Sequence, residues 1–306
     1  MPRMRVEVAS RFRHADGTDR VRESLRWFRG NVVSAASVVI ILFVVCTALL
    51  APLVSGQEPT TQNLSMRLQP PGLLPGGDPA HPLGTDHLGR DVWSRLVYGS
   101  RISLLVALAS VVGGGVLGIS LGLVSGYFGR FTDTVIMALV DAMLAMPFVL
   151  LAVAVVTVIG GGMLNTVMVL IMTGWVVYAR VVRSVVLSVR EREFVLAARA
   201  VGADSLRIIS AHIFPNTVNE IVVIVALQVA EMIIAEAALS FMGLGIQPPM
   251  PSWGNMIADG RGYITSAWWV VTLPGVAITI TVLAINFFGD WLRRKLDPRS
   301  RRVVGF

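Results

Sequence analysis

The feature that most constrains this chain is a series of apolar runs, each near the length at which a helix crosses a lipid bilayer. They fall at 32–54, 102–126, 134–159, 164–186, 216–242 and 268–291. A hydrocarbon core of ~30 Å is spanned by about 20 apolar residues in a helix. Inside that core the backbone has no water to bond with, so only helices and closed barrels satisfy its N–H and C=O groups. The short alternating segments of a barrel are absent. The fold class is therefore an all-α integral membrane protein with six transmembrane helices. Composition agrees: 15% of residues are charged, against about a quarter in soluble domains. A secretory signal has an apolar stretch of only about 7–15 residues behind a short basic head. The first run is longer and follows the polar segment 1–30, which favours a retained span.

The charges sit beside the ends of the runs, where topology signals lie. With the N-terminus inside, the internal segments hold eight Arg in 1–30, Arg130, six Arg in 180–212 and six Lys or Arg after Trp291. Only Arg67, Arg90, Arg95, Arg101 and Arg261 fall outside, a ratio of 21 to 5 that puts both termini in the cytoplasm. The net charge of +7 is thereby accounted for by orientation, and nucleic acid is not an expected partner. Cys46 is the single cysteine, which excludes an internal disulfide or a thiolate cluster; it is expected to pack within the first span. The organisation that follows is a cytoplasmic tail at 1–30 and a membrane domain at 31–306. Within that domain lie an external loop at 55–100, a polar cytoplasmic segment at 187–213 and a cytoplasmic tail at 292–306.

Several positions carry specific expectations. Gly114, Gly118, Gly122 and Gly126 recur at just over one helical turn and form a stripe on which another helix can approach closely. Pro147 is expected to kink the third span. Leu88–Tyr98 reads as an amphipathic external helix, with Val92, Trp93, Leu96 and Val97 on one side and Asp91 spaced to pair with Arg95. Trp253, Trp268 and Trp269 read as interfacial anchors. Asp141, Glu220, Glu231 and Glu236 lie in apolar runs, where a charge costs a few kcal/mol. Glu220 and Glu231 share a helical face, and Gln228 sits three residues before Glu231. Two readings stand for these groups: a polar lining that meets solute or water in a translocation path, and fixed hydrogen-bonded pairs between helices. Glu231 is the stronger path candidate because it lies nearest mid-span.

The cytoplasmic stretch Arg190-Glu-Arg-Glu-Phe-Val-Leu-Ala-Ala-Arg-Ala-Val-Gly-Ala-Asp204, continuing to Ile213-Phe-Pro-Asn216, carries a mechanism. Glu191 and Glu193 complement the positive end of a short helix. Ala197, Ala198 and Ala200 give it a small-residue surface, and Gly202 suits a left-handed C-terminal cap. Asp204 or Ser205 can cap a second short helix, and Pro215 can open the fifth span from its first turn. Composition alone allows two placements, an amphipathic helix lying on lipid headgroups and a helix docked in a groove on another protein.

The residues themselves resemble the EAA loop of ABC-importer permeases, through Glu193, Ala197, Ala198, Gly202 and the Ile213–Asn216 exit. Glu193 is set apart from the Ala pair by Phe-Val-Leu, as in the peptide-permease branch. His81-Pro-Leu-Gly-Thr-Asp-His-Leu-Gly-Arg-Asp91 and Tyr98-Gly-Ser-Arg-Ile-Ser103 are similar to the external segment of C-type permeases of dipeptide, oligopeptide and nickel importers. So are Glu236-Ala-Ala-Leu-Ser-Phe-Met-Gly-Leu-Gly245, Pro248-Pro-Met-Pro-Ser-Trp-Gly254, Asn286-Phe-Phe-Gly-Asp290 and Leu296-Asp-Pro-Arg299. The resemblance covers about residues 30–300 in order; residues 1–30 carry no matching motif.

The resemblance implies a type I ABC-importer permease fold with a cytoplasmic coupling helix, in a bacterial cytoplasmic membrane. Glu193, Phe194, Ala197, Ala198, Arg199, Gly202, Ala203 and Asp204 would contact the ATPase. Asp141, Gln228, Glu231 and Glu236 are the translocation-path candidates. The implied partners are a second homologous permease subunit, two ABC ATPase subunits and an extracellular solute-binding protein, with membrane lipid around them. The expected cargo is a di- or oligopeptide, with nickel, glutathione or another small solute as the alternative. No Gly-x4-Gly-Lys-Ser/Thr loop occurs, so no nucleotide site is expected here; ATP and Mg would sit on the partner ATPases. An ion-driven secondary transporter usually shows repeated halves, which are not found. A membrane enzyme is disfavoured too, because His14, His81, His87 and His212 form no HExxH pair or nucleophile–base cluster, and no metal site is expected.

Overall fold

The computed structural model describes residues 32–296, and every element of it is helical or turn. The tail 1–30, most of the segment 292–306 and the Leu296–Arg299 motif beyond its first residue lie outside the described residues. The helices are α1 Val32–Leu49, α2 Val92–Phe128, α3 Arg130–Ala145, α4 Phe148–Ile159, α5 Met163–Val189 and α6 Glu193–Ala200. After these come α7 Ser205–Phe241, α8 Trp253–Gly260 and α9 Trp269–Leu296. Among the described residues five helices are long and apolar enough to cross a membrane, and up to six if the bent pair α3 and α4 is one span.

That bend corrects the expectation of a single kinked third span. α3 and α4 meet at 92°. Pro147 has no N–H for the preceding turn, and it forces Met146 into an extended conformation (ψ 124°). The helix therefore ends at Ala145 and restarts on the far side of the proline. A second correction concerns the external amphipathic stretch, which is not a separate helix. Its residues from Val92 onward are the first turns of α2, a continuous helix of 37 residues and about 55 Å. Asp91 does not pair with Arg95: it caps α2 by accepting from the Ser94 N–H at 2.7 Å, and it meets His81 Nδ1 at 2.9 Å. Cys46 is exposed on α1 instead of packed.

The most extensive interface in the bundle is α2 on α5, and the glycine stripe makes it. A Cβ on Gly122 would sit 2.8 Å from the Ala179 carbonyl oxygen, and one on Gly126 2.7 Å from Val186 Cβ. A Cβ on Gly118 would run into the Trp175 carbonyl. The two backbones are thus in van der Waals contact over three turns. α7 then packs on α2, α5 and α9, and α1 covers α2 and α9 from outside.

The segments around the N-terminal end of α2 are held by buried charges. Arg90 Nε donates to Asp86 at 2.7 Å, while Arg90 and Arg95 each reach Asp259 on α8 at 3.0 and 3.1 Å. Arg95 also donates to Asp86. Two guanidinium groups and two carboxylates therefore join the loop before α2, the top of α2 and α8. The Asp86 side chain is 1% exposed. Burial alone would raise its pKa, but Arg95, Arg90 and the Arg90 and Leu88 N–H groups outweigh that and hold it below the ordinary value. Burial pushes the neighbouring His87 below its usual range, against the pull of Asp86 and Asp259; its ring stacks on Tyr263, centroids 5.8 Å apart. Of the three tryptophans expected as interfacial anchors only Trp268 is exposed. Trp253 and Trp269 are buried posts whose indole N–H groups donate to Leu96 and Thr85 carbonyls at 3.0 and 3.1 Å. A buried indole is held where its one donor finds a carbonyl.

Two measurements test this packing. Gly118→Ala is expected to lower stability by about 1–3 kcal/mol through overpacking. Gly275→Ala, with open space around its Cβ position, should be neutral or gain up to about 1 kcal/mol of helix propensity; thermal unfolding in detergent compares the two. Because the Asp86 pKa is lowered in the folded state, its contribution is complete above 3.8 and is lost as the pH falls below that value. The Asp86→Asn variant should start about 3–5 kcal/mol less stable and lose less on acidification, read as the unfolding midpoint against pH.

Candidate coupling segment and translocation face

α5 ends at Val189, and Arg190 turns the chain back, its Nη1 donating to the Gly126 carbonyl at 2.8 Å. At the same end Arg183 holds Asp133 of α3 through Nη2 at 2.6 Å, and Ser125 of α2 donates to that carboxylate at 2.5 Å. The base from which the polar segment projects is thus tied across α2, α3 and α5. Glu191 lies before the short helix, beside Arg190 at 3.0 Å. Glu193 opens α6, where its charge complements the helix N-terminus.

Gly202 closes α6 with φ 83°, as the sequence requires. Its N–H donates to the Arg199 carbonyl, and the Ala203 N–H to Ala198, both at 3.1 Å. Asp204 then accepts from the Arg207 N–H at 3.3 Å. The expected second short helix is not separate. Helical backbone continues from Ser205 through a wide π-turn at Ile208–Ile213 into Phe214–Phe241, so the cap of Asp204 is the cap of the whole fifth span. Pro215 sits in the first turn of its α-helical part. Nothing between Arg207 and Ile213 stops a helix, and the wide turn absorbs the irregularity.

The alanine pair splits. Val195 is buried against Val182, Val186, Ile208 and Ile213, with Ala198 and Ala203 half-buried on the same cluster. Ala197 faces outward with Phe194 and Val201, at i, i+3 and i+7 on the opposite side of α6. Val201 is 85% exposed and Leu206 75%. These two, which sequence reasoning did not single out, add to the exposed apolar surface; for Val201 the signal was its helical phase relative to Phe194, while Leu206, beyond the Gly202 turn, carried none. Arg199 lies over the Tyr127 ring at 5.8 Å and Phe194 near His212 at 6.4 Å, so both are oriented by neighbours.

The four path candidates do not form one group. Asp141 pairs with Arg180 at 2.9 Å on an exposed face between α3 and α5. Glu236 is fully buried in a serine cage: Ser103 and Ser240 both donate to it at 2.7 Å, and Ser240 in turn accepts from the Ile246 N–H at 3.1 Å. It fastens α2 to α7 and the chain that follows. Gln228 and Glu231 line one cavity of about 410 Å³ between the α3–α4 break, α5 and α7. Glu220, on the same helical face, lines a separate surface depression with Arg293 and Leu296.

A membrane bundle of up to six spans, with a short capped helix projecting at one end and a polar-lined cavity between broken and continuous spans, has the form of a membrane translocation subunit. Residues 118–302 match the family described as binding-protein-dependent transport system inner membrane component, and residues 20–71 match the N-terminal TM domain of oligopeptide transport permease C. The di/tripeptide transport system permease protein DppC of Pseudomonas aeruginosa (strain UCBPP-PA14) is 43% identical over 284 residues, covering 93% of this chain and 94% of the relative. The dipeptide transport system permease protein DppC of Escherichia coli K12 is also 43% identical, over 274 residues and 90% of each chain. Among solved structures, an inward-facing MetNI methionine ABC transporter aligns with a TM-score of 0.55 at 21% identity, covering 66% of this chain and 96% of that one; it shows the fold. The chain belongs to the family of binding-protein-dependent transport inner-membrane components.

Proposed function

We propose that this chain is one permease half of an ATP-driven importer of short peptides. The observation that carries the reading is similarity along nearly the whole chain to di- and tripeptide permeases, joined to the projecting α6 with its apolar outer face. The other half of the pore is a second, homologous permease. Two ATPase subunits hold ATP and Mg, and one of them docks on Phe194, Ala197, Val201 and Leu206, with Glu193, Arg199, Gly202, Ala203 and Asp204 shaping the contact. An extracellular binding protein delivers the peptide to the surface built by the Asp86–Arg90–Arg95–Asp259 clamp. Both termini are cytoplasmic, in a bacterial inner membrane.

The geometry supplies a lever. Closure of the ATPases moves α6, which is packed through Val195 on α5 and on the start of α7. α7 runs without interruption from this contact to mid-membrane, so a displacement at Leu206 is delivered as tilt along the cavity wall. Gly202 permits the angle between α6 and α7 to be set by a backbone conformation that L side chains rarely adopt.

In a reconstituted complex, Glu193→Lys and Gly202→Pro are each expected to cut ATP-driven peptide uptake at least about tenfold while the chain still inserts and assembles with its partner permease. ATP hydrolysed per peptide imported should rise. Uptake at the parent rate in both variants would overturn the coupling assignment.

A further inference from the structure

We propose that Glu231 and Gln228 form a discrete mid-membrane subsite for the free α-amino end of the transported peptide; this rests on the importer reading above. The cavity they line is otherwise apolar and methionine-rich, with Met143, Met146 and Met232 in its walls. Among its lining residues Glu231 bears the one formal charge. Its carboxylate accepts no hydrogen bond from any described side chain, in contrast with Asp141, which is paired, and Glu236, which is caged. The hydroxyl of Thr173, the remaining polar side chain in the lining, is spent on the Val169 and Leu170 carbonyls at 3.2 Å.

Gln228 gives the second, independent observation. It is 4% exposed, yet its amide makes no hydrogen bond within the described residues and opens on the same cavity. The amide is therefore free to bond whatever enters the cavity, and a carboxylate in an apolar span is costly until it meets a partner. Glu231 lies ten residues before Phe241, about 15 Å along the axis from that end of the apolar span. An unpaired anion and an unpaired amide three residues apart on one helix face present, at that depth, an acceptor for an ammonium group beside a donor and acceptor for a peptide unit. The flexible thioethers around them fit side chains of different shape. The chemistry that satisfies all of these groups is an ammonium followed by an amide and a variable, largely apolar body, which is the N-terminal end of a short peptide.

The test is uptake of a radiolabelled free-amine dipeptide by the complete complex in proteoliposomes, driven by ATP and supplied by its binding protein. Import by the parent complex comes first; its absence overturns the importer reading and this one with it. Given import, Glu231→Gln should lower the maximal rate about tenfold, the size expected for one charge-assisted hydrogen bond, with half-saturation by loaded binding protein unchanged. Glu231→Asp, which keeps the charge, should stay within about threefold of the parent. If Glu231→Gln runs at the parent rate, or Glu231→Asp falls as far as Glu231→Gln, the subsite is overturned while the importer reading stands. Should Glu231→Gln fail to assemble, Gln228→Leu carries the test: a drop of about threefold supports the subsite, and the parent rate overturns it.

Discussion

The backbone-to-backbone approach of α2 and α5 is the contact on which the rest of the structure depends. In lipid the hydrophobic effect does not drive helices together, so close packing and polar links must. The glycine stripe brings the two helices near enough for the Trp175 and Ala179 carbonyls to lie against α2. With α2 and α5 fixed, Arg183 and Arg190 reach Asp133 and the Gly126 carbonyl at one end, and α7 finds a groove to fill. The short helix α6 hangs from the end of α5 and the cavity opens along its middle. Both candidate sites are therefore positioned by the same pair.

Much of this was legible in the sequence. Residues 118, 122 and 126 announce their close approach by spacing alone, Gly202 announces its left-handed cap, and Asp204 its capping role. The apolar runs announce the spans, because in a bilayer local composition and burial are nearly the same signal. What stayed hidden was non-local. Asp91 and Arg95 are spaced to pair, yet Arg95 finds better partners in Asp86 and in Asp259, far along the chain and invisible to any periodicity. Trp253 and Trp269 sit beside span ends as anchors do, but carbonyls of the loop before α2 and of α2 itself take their N–H groups inward. Residue type fixed what Pro147 does and not how far the chain would turn there.

The path candidates show the same division. Glu231, Glu236 and Asp141 are alike in sequence, as acids in apolar runs. Their surroundings separate them into an open carboxylate, a caged one and a paired one. The cage on Glu236 needs a serine from α2, 133 residues away from it, as well as one from α7, and no single-segment pattern carries that. The splitting of Ala197 from Ala198 was closer to reach, since adjacent residues on a helix cannot share a face.

The π-turn at Ile208–Ile213 has a bearing on how the two ends of α7 relate. Each residue of a helix is ~100° of rotation, and a wide turn takes in more residues than an α-turn does. The azimuth of everything beyond it is thereby offset from that of the first turn. Leu206 and Glu231 accordingly owe their present directions to a phase set in that one turn, as a crankshaft sets the angle between two throws. Tightening it to α geometry would keep both residues, both helices and the length of the rod nearly intact, and still point the carboxylate away from the cavity.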